Sequence, residues 1–275
     1  MKPLNQQTIF ITGATDGIGK LTALQLAQQN VHLLIHGRKP NKLSQVVDEI
    51  KTTTGNQNIE GYVADLSSLG QVRQLANDVL SKHNKLDVLI NNAGAGFSDK
   101  RYGKDGMELR FTVNYLAPFL LTHLLLPSLK NAVPSRIVNV ASAGQAPIQF
   151  DDVMHEKDFD GVTAYRQSKL ALIMFTIDLA AQLKKANITV NSFHPGTFLD
   201  TNMVRESGIK PLGKPESGAD AEVFLATSPQ LENVTGKYFD VKKEAKAHSQ
   251  AYDEKARKKL WELSMELTGL TEKVR

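Results

Sequence analysis

The sequence predicts an α/β fold, a single doubly wound parallel sheet of about seven strands with helices on both faces. Three observations carry this. Short β-branched runs alternate with segments of helical periodicity along the chain, as in parallel βαβ units. A turn with three glycines joins the first such run to the first helical segment. The 275 residues, 41% apolar and 23% charged, suffice for one large core, with no internal repeat or low-complexity linker.

The predicted strands lie at 8–12, 31–35, 59–63, 86–90, 136–140, 189–193 and 237–241. The first helix, 20–29, carries Leu21, Leu24, Leu26 and Ala27 at helical spacing. The second, 41–51, starts with Asn41 as its N-cap. The third, 67–83, lines Leu69, Val72, Leu75, Ala76, Val79 and Leu80 along one face. Long helices follow at 111–130 and 164–186. The segment 208–218 is rich in Gly and Pro and reads as a loop inside the fold. The tail, 244–267, reads as an amphipathic helix with Trp261, Leu263 and Leu267 on or near one face. One domain spanning 1–275 is the expectation.

Composition excludes several functions. Without cysteine there is no disulfide, thiolate metal site or cysteine nucleophile, and no metal centre is expected. The N-terminus has no apolar signal region, and the longest apolar stretch, 116–126, is interrupted by Pro118, Thr122 and His123. It falls short of the ~18 apolar residues of a spanning helix. A cytoplasmic protein with no membrane span is expected. The net charge of +4 is spread: Lys242, Lys243, Lys246, Lys255, Arg257, Lys258 and Lys259 interleave with Glu244, Asp253 and Glu254. No one-sign stripe with aromatic platforms marks a nucleic-acid surface.

The glycine turn runs Thr12-Gly13-Ala14-Thr15-Asp16-Gly17-Ile18-Gly19. Gly13 permits a tight turn, Gly17 a close approach of backbone to a pyrophosphate, and Gly19 close helix–strand packing. The following helix presents free N–H groups and its positive dipole end to phosphates. Further on, Tyr165-Arg166-Gln167-Ser168-Lys169 places a tyrosine and a lysine one helical turn apart on one face. An ammonium there favours the phenolate, so Lys169 is expected to lower the Tyr165 pKa and make it a usable acid/base.

The Thr12–Gly19 spacing, the Tyr-x-x-x-Lys pair and the run Asn91-Asn92-Ala93-Gly94 resemble the short-chain dehydrogenase/reductase family over nearly the whole chain. The resemblance implies a Rossmann-type sheet of order 3-2-1-4-5-6-7 and a dinucleotide held by Gly13, Thr15, Asp16, Gly17, Ile18, Gly19, Asn92, Ala93 and Gly94. At the end of the second strand, Gly37 stands where NAD-selecting members carry an acid, and Arg38 follows, which suits a 2′-phosphate. NADP(H) is therefore expected, with Lys39 and Lys20 as further positive charge. Asp65 and Leu66 are implied at the adenine, although Asp65 reads equally well as a turn or N-cap aspartate. The implied catalytic tetrad is Asn114, Ser142, Tyr165 and Lys169, with Tyr165 and Lys169 also touching the cofactor. Pro118 removes the N–H that would bond the Asn114 carbonyl, so a kink there could free that carbonyl for a water.

Pro195 and Gly196 match the motif beside the nicotinamide. The family's threonine five residues after the proline is Asp200 here, leaving Thr197 or Thr201 to make that contact. The likeness is nearest the retinol-dehydrogenase-like and WW-domain-oxidoreductase-like branch, without an N-terminal anchor or WW module. Light-dependent protochlorophyllide reductases, which are neighbours, carry an active-site cysteine that this chain lacks. The expected activity is interconversion of a small-molecule alcohol and carbonyl. A substrate loop at about 198–218, with Phe198, Leu199, Met203 and Ile209, suggests a lipophilic aldehyde or ketone. A dinucleotide-binding regulator without turnover and an interaction module are the rival readings. The family implies a homodimer or homotetramer through the helices of Asn114 and Tyr165. The tail helix packs either on its own body or on a partner.

Overall fold

The computed structural model describes residues 1–97 and 99–271. Eight strands form one sheet, ordered β3-β2-β1-β4-β5-β6-β7-β8. They are β1 (Thr8–Ile11), β2 (His32–Gly37), β3 (Ile59–Val63), β4 (Val88–Asn91), β5 (Ser135–Val140), β6 (Ile188–His194), β7 (Tyr238–Asp240) and β8 (Lys243–Ala245). Pairing is parallel up to β7, and β8 returns antiparallel on the edge. The expected order is thus present with one strand more. That strand takes Glu244 and Ala245, expected to open the tail helix, together with Lys243 before them.

Side-chain alternation explains the two layers. Ile9, Ile11, Leu33, Ile35, Val88 and Ile90 face one core, with α1 (Gly17–Ala27), α2 (Pro40–Thr54) and α8 (Pro215–Thr227) over them. Phe10, Leu34 and Leu89 point the other way, into a core shared with α3 (Leu69–Lys82), α5 (Ala117–Lys130) and α6 (Gly161–Leu183). Both faces of the central strands are therefore buried, as in sheets covered by crossover helices.

Several boundaries move for local reasons. α2 starts at Pro40, whose fixed φ suits the first helical position, so Lys39 and not Asn41 is the cap residue. The expected helix at 111–130 begins earlier and is not uniform. α4 (Leu109–Phe111) runs through a π turn, Thr112–Leu116, into α5, and the Ala117 N–H donates to the Thr112 carbonyl. Pro118 cannot donate to Asn114 and would crowd its carbonyl, and the wider turn relieves both. By length and composition the combined stretch Leu109–Lys130 could cross a bilayer, contrary to expectation, but 83% of its apolar window is buried inside the fold.

The tail helix, α9 (Glu254–Thr268), starts ten residues later than expected and packs on its own body. Trp261 stacks edge-on to Phe119, the Tyr115 hydroxyl bonds Ser264, and Arg257 pairs with Asp178 at 2.7 Å. The sides of α5 and α6 toward α9 are thus covered within the chain.

Candidate active site

The C-terminal ends of the strands open onto a cleft of about 540 Å³ lined by Gly13, Thr15–Gly19, Arg38, Asp65, Leu66, Asn92–Gly94, Tyr165, Lys169 and Pro195. A second cleft of about 390 Å³ adjoins it, lined by Ser142, Tyr165, Gly196, Thr197 and the loop after β6. Tyr165 and Phe97 line both, their rings 4.4 Å apart.

The glycine turn is built for close approach. Gly13 has φ +69°, and a Cβ there would lie 2.7 Å from the Ala93 Cα. A Cβ at Gly19 would lie 2.2 Å from the Asn92 side chain and 2.6 Å from the Gly13 carbonyl. Gly19 thus serves packing of the turn on itself and on the Asn92 loop, rather than the expected helix-to-strand contact. Asn92 Nδ2 donates to the Thr12 and Gly13 carbonyls, and the Thr12 hydroxyl accepts from the Asn92 and Ala93 amides. The first amide of α1 is not free: Asp16 caps it, accepting from the Gly17 N–H at 2.8 Å. Asp16 also binds Lys42 and the Asn202 side chain, and these contacts outweigh its burial to hold its carboxyl below the usual range.

At the end of β2, a Cβ on Gly37 would lie 2.3 Å from Thr15 Cγ2. Arg38 is exposed on the cleft rim, and no hydrogen bond or ion pair engages it among the described residues. Lys20, expected to add charge there, is instead paired with Glu49 at 2.7 Å. Asp65 lines the cleft and also closes a turn, accepting from the Ser67 N–H and hydroxyl. The turn reading of that residue holds, and its place on the cleft leaves it available to a bound dinucleotide.

Across the cleft, α6 is capped by Asp160, which accepts from Val162 and Thr163. This sets Tyr165 and Lys169 on the buried face of its first turns. Lys169 Nζ donates to the Val140 carbonyl at 2.7 Å, and burial pulls its pKa from 10.5 down to about 8. Burial raises the Tyr165 pKa, opposed by a hydrogen bond with the Ser142 side chain. The expected lowering by Lys169 is therefore not found: its Nζ lies 5.7 Å from the ring centroid, and desolvation dominates. Asn114 secures the loop after β4, with Oδ1 accepting from the Ala95 N–H at 2.7 Å and Nδ2 donating to the Ala95 carbonyl and the Ser168 hydroxyl.

Residues 7–211 match the family model for short chain dehydrogenase. The chain belongs to that family. This short-chain dehydrogenase falls in the retinol-dehydrogenase-like branch, and is accordingly of an oxidoreductase family. It is 36% identical to retinol dehydrogenase 13 of Mus musculus, with 96% of this chain and 84% of the relative covered. It is 38% identical to retinol dehydrogenase 11 of Homo sapiens (96% and 86% covered) and 36% identical to human polyprenol dehydrogenase (98% and 87%). Among solved structures, it resembles the Pseudomonas aeruginosa RhlG/NADP active-site complex with TM-score 0.70 and 26% identity, covering 87% of this chain and 97% of that chain. An uncharacterized Mycobacterium paratuberculosis protein gives TM-score 0.78 at 29% identity, covering 96% and 94%.

Several side chains of this short-chain dehydrogenase went unread in the sequence. His36 is buried between the Gly13 amide, which donates to Nδ1, and the Ala64 carbonyl, which accepts from Nε2; desolvation lowers its pKa to about 4. The cofactor signal at the end of β2 falls on Gly37 and Arg38, and nothing local marks the adjoining His36. Glu108 and Arg110 form a fully buried ion pair, and Arg110 also holds the Gly96 and Lys100 carbonyls, bracing the loop of Phe97. Tyr238 donates to the Ser142 carbonyl at 3.1 Å. No local pattern distinguishes these residues from ordinary core or surface positions.

Beyond β6, Thr197 meets His194 and lines only the second cleft, as does Gly196. Thr201 is the threonine at the glycine turn, its methyl 3.2 Å from where a Gly17 Cβ would be. Asp200, in the family's threonine position, pairs with Arg205 through both carboxylate oxygens.

Proposed function

We propose that this short-chain dehydrogenase interconverts an alcohol and a carbonyl on a lipophilic molecule using NADP(H). The observation that carries the reading is the placement of Tyr165 where the two clefts join, with Lys169 on the first cleft and Ser142 on the second.

The residues of the first cleft fit a dinucleotide. The glycine turn packs without side chains against Ala93 and Asn92, a side chain at Gly37 would meet Thr15, and Arg38 offers positive charge on the cleft rim. NADP is also the ligand named for the RhlG complex. When bound, the nicotinamide supplies or accepts the hydride. The protein's own part is positioning and proton transfer. Ser142 orients the substrate oxygen. Tyr165, whose burial keeps it protonated near neutrality, gives that oxygen its proton in reduction and takes it back in oxidation. Lys169, anchored to Val140 on the first cleft, would hold the nicotinamide ribose, while Asn114 holds the Ala95 loop in place.

The second cleft is lined by Phe97, Val162, Phe198, Leu199, Val204 and Ile209, which suits an apolar substrate. The relatives' names, retinol and polyprenol dehydrogenase, point to long isoprenoid alcohols of that kind. The test is NADPH oxidation with retinoid and polyprenyl aldehydes against short polar aldehydes, on wild type and Tyr165→Phe. Turnover of the long aldehydes, falling about 10²–10⁴-fold in the variant with NADPH affinity kept, supports the reading. Turnover that survives in Tyr165→Phe would remove Tyr165 from the proton transfer. NADPH binding without turnover of any aldehyde would favour the regulator.

A further inference from the structure

At the far end of β2 from the cleft, His32, Glu60 and His83 converge, each presenting one ligand atom within 4.8 Å of the others. His32 opens β2 and Gly37 closes it, so the cluster stands about 16 Å from the ribose end by strand rise. His32 and Glu60 are brought together by strand register, in which Leu34 pairs with Glu60, and His83 comes from the residue that ends α3.

The spacing fits a metal. In a tetrahedral zinc site, ligand bonds of about 2.0–2.1 Å set donor atoms about 3.3 Å apart. Glu60 Oε1 is 3.1 Å from His32 Nε2 and 3.4 Å from His83 Nε2. The Tyr62 hydroxyl lies 3.0 Å from the second carboxylate oxygen, where it can donate and fix the carboxylate's orientation. The histidine and glutamate side chains are 10–36% exposed, leaving an access path and one open coordination position. The imidazole ring centroids sit 5.1 Å apart, edge to face. Among the described residues two groups compete with a cation: the Tyr62 hydroxyl, also 3.0 Å from His83 Nε2, would have to release that nitrogen and keep only Glu60, and the Lys82 ammonium, 3.8 Å from Glu60, has a side chain 63% exposed and free to swing out.

We infer that His32, Glu60 and His83 form a site for a divalent zinc-class ion, which would clasp the C-terminal end of α3 to β2 and β3. Imidazole nitrogen with carboxylate oxygen, and no thiolate in the chain, is the donor set such an ion accepts. The ion would act as a structural clasp, distant from the catalytic cleft.

The test uses the full chain without a histidine tag. Zinc alone is titrated by calorimetry, and cobalt by visible absorption, where a tetrahedral site gives intense bands. One ion per chain is expected, with the melting temperature rising on zinc addition. Both effects should vanish in His32→Gln/His83→Gln, while that variant still binds NADPH as a check of folding. Glu60→Gln should weaken binding about tenfold or more. Lys82→Gln should tighten it, a change that a merely hydrogen-bonded cluster would not produce. Absence of zinc binding, or binding unchanged in the double variant, would overturn the site.

Discussion

The Thr15 side chain fills the space in which a side chain at Gly37 would begin, its Cγ2 standing 2.3 Å from the Cβ position. A carboxylate cannot be placed at the end of β2 unless Thr15 moves. Under the proposed NADP(H) reading, selection of the 2′-phosphate would have two parts, a steric exclusion by Thr15 and an attraction by Arg38.

Gly37→Asp alone should therefore lose NADPH affinity without gaining NADH, and the gain should come only with Thr15→Ala in the same chain. Arg38→Ala should weaken NADPH binding about tenfold or more, the loss of a hydrogen bond to a charged group, and leave NADH unchanged. Calorimetric titration of both nucleotides checks this. Tighter NADH binding by Gly37→Asp alone would show that Thr15 yields readily.

Asn114 joins the π turn to the loop after β4 through two hydrogen bonds and to α6 through a third, to Ser168. Asn114→Ala should cost about 1–3 kcal/mol of stability in urea melts, because the half-buried Ala95 backbone and the buried Ser168 hydroxyl lose their bonds. It should also raise the NADPH dissociation constant, since that loop includes Asn92–Gly94. Unchanged nucleotide affinity would confine Asn114 to fold stability.

Lys169 has its pKa lowered by burial from 10.5 to about 8. Between those values the unfolded chain binds the extra proton, so stability rises with pH across that window. The full shift is worth about 3 kcal/mol at about 1.4 kcal/mol per unit. Denaturant melts of wild type and Lys169→Met from pH 7.5 to 10.5 should diverge in wild type's favour as pH rises. Parallel curves would mean that Lys169 carries no such burial cost.

His36 is neutral and holds the Gly13 amide, with its pKa lowered from 6.5 to about 4. In that interval the unfolded chain again binds more protons, so His36 costs stability as pH falls from about 6.5 towards 4. His36→Asn keeps a hydrogen-bonding group beside Gly13 without a titrating ring. Its stability should fall less steeply over the same interval, and equal slopes would rule His36 out as the source of acid lability.

Much of the fold was legible because periodicity reports burial directly. Ile9, Phe10 and Ile11 alternate between two cores, as a parallel strand between helical layers must. The ends were less legible. β8 spans three residues on an edge, too few to show alternation, and its lysine and glutamate resembled a charged helix face. Pro40 displaced Asn41 as the start of α2 because a ring with fixed φ defines the first turn more strongly than a capping side chain that makes no bond.

The sequence by itself determined the chemistry available: the glycine turn, Ser142, the Tyr165 and Lys169 spacing, and an arginine following the glycine that stands where an acid would select NAD. These are readable because each depends on backbone freedom or on a separation along one helix. Only the tertiary structure decided which groups meet. Thr15 against Gly37, His36 under Gly13, Thr201 rather than Thr197 at the turn, and His32 with Glu60 and His83 join residues from different segments. Tertiary structure also decided that the Tyr165 pKa moves up rather than down, since desolvation depends on what packs around a group and not on its neighbours in the chain.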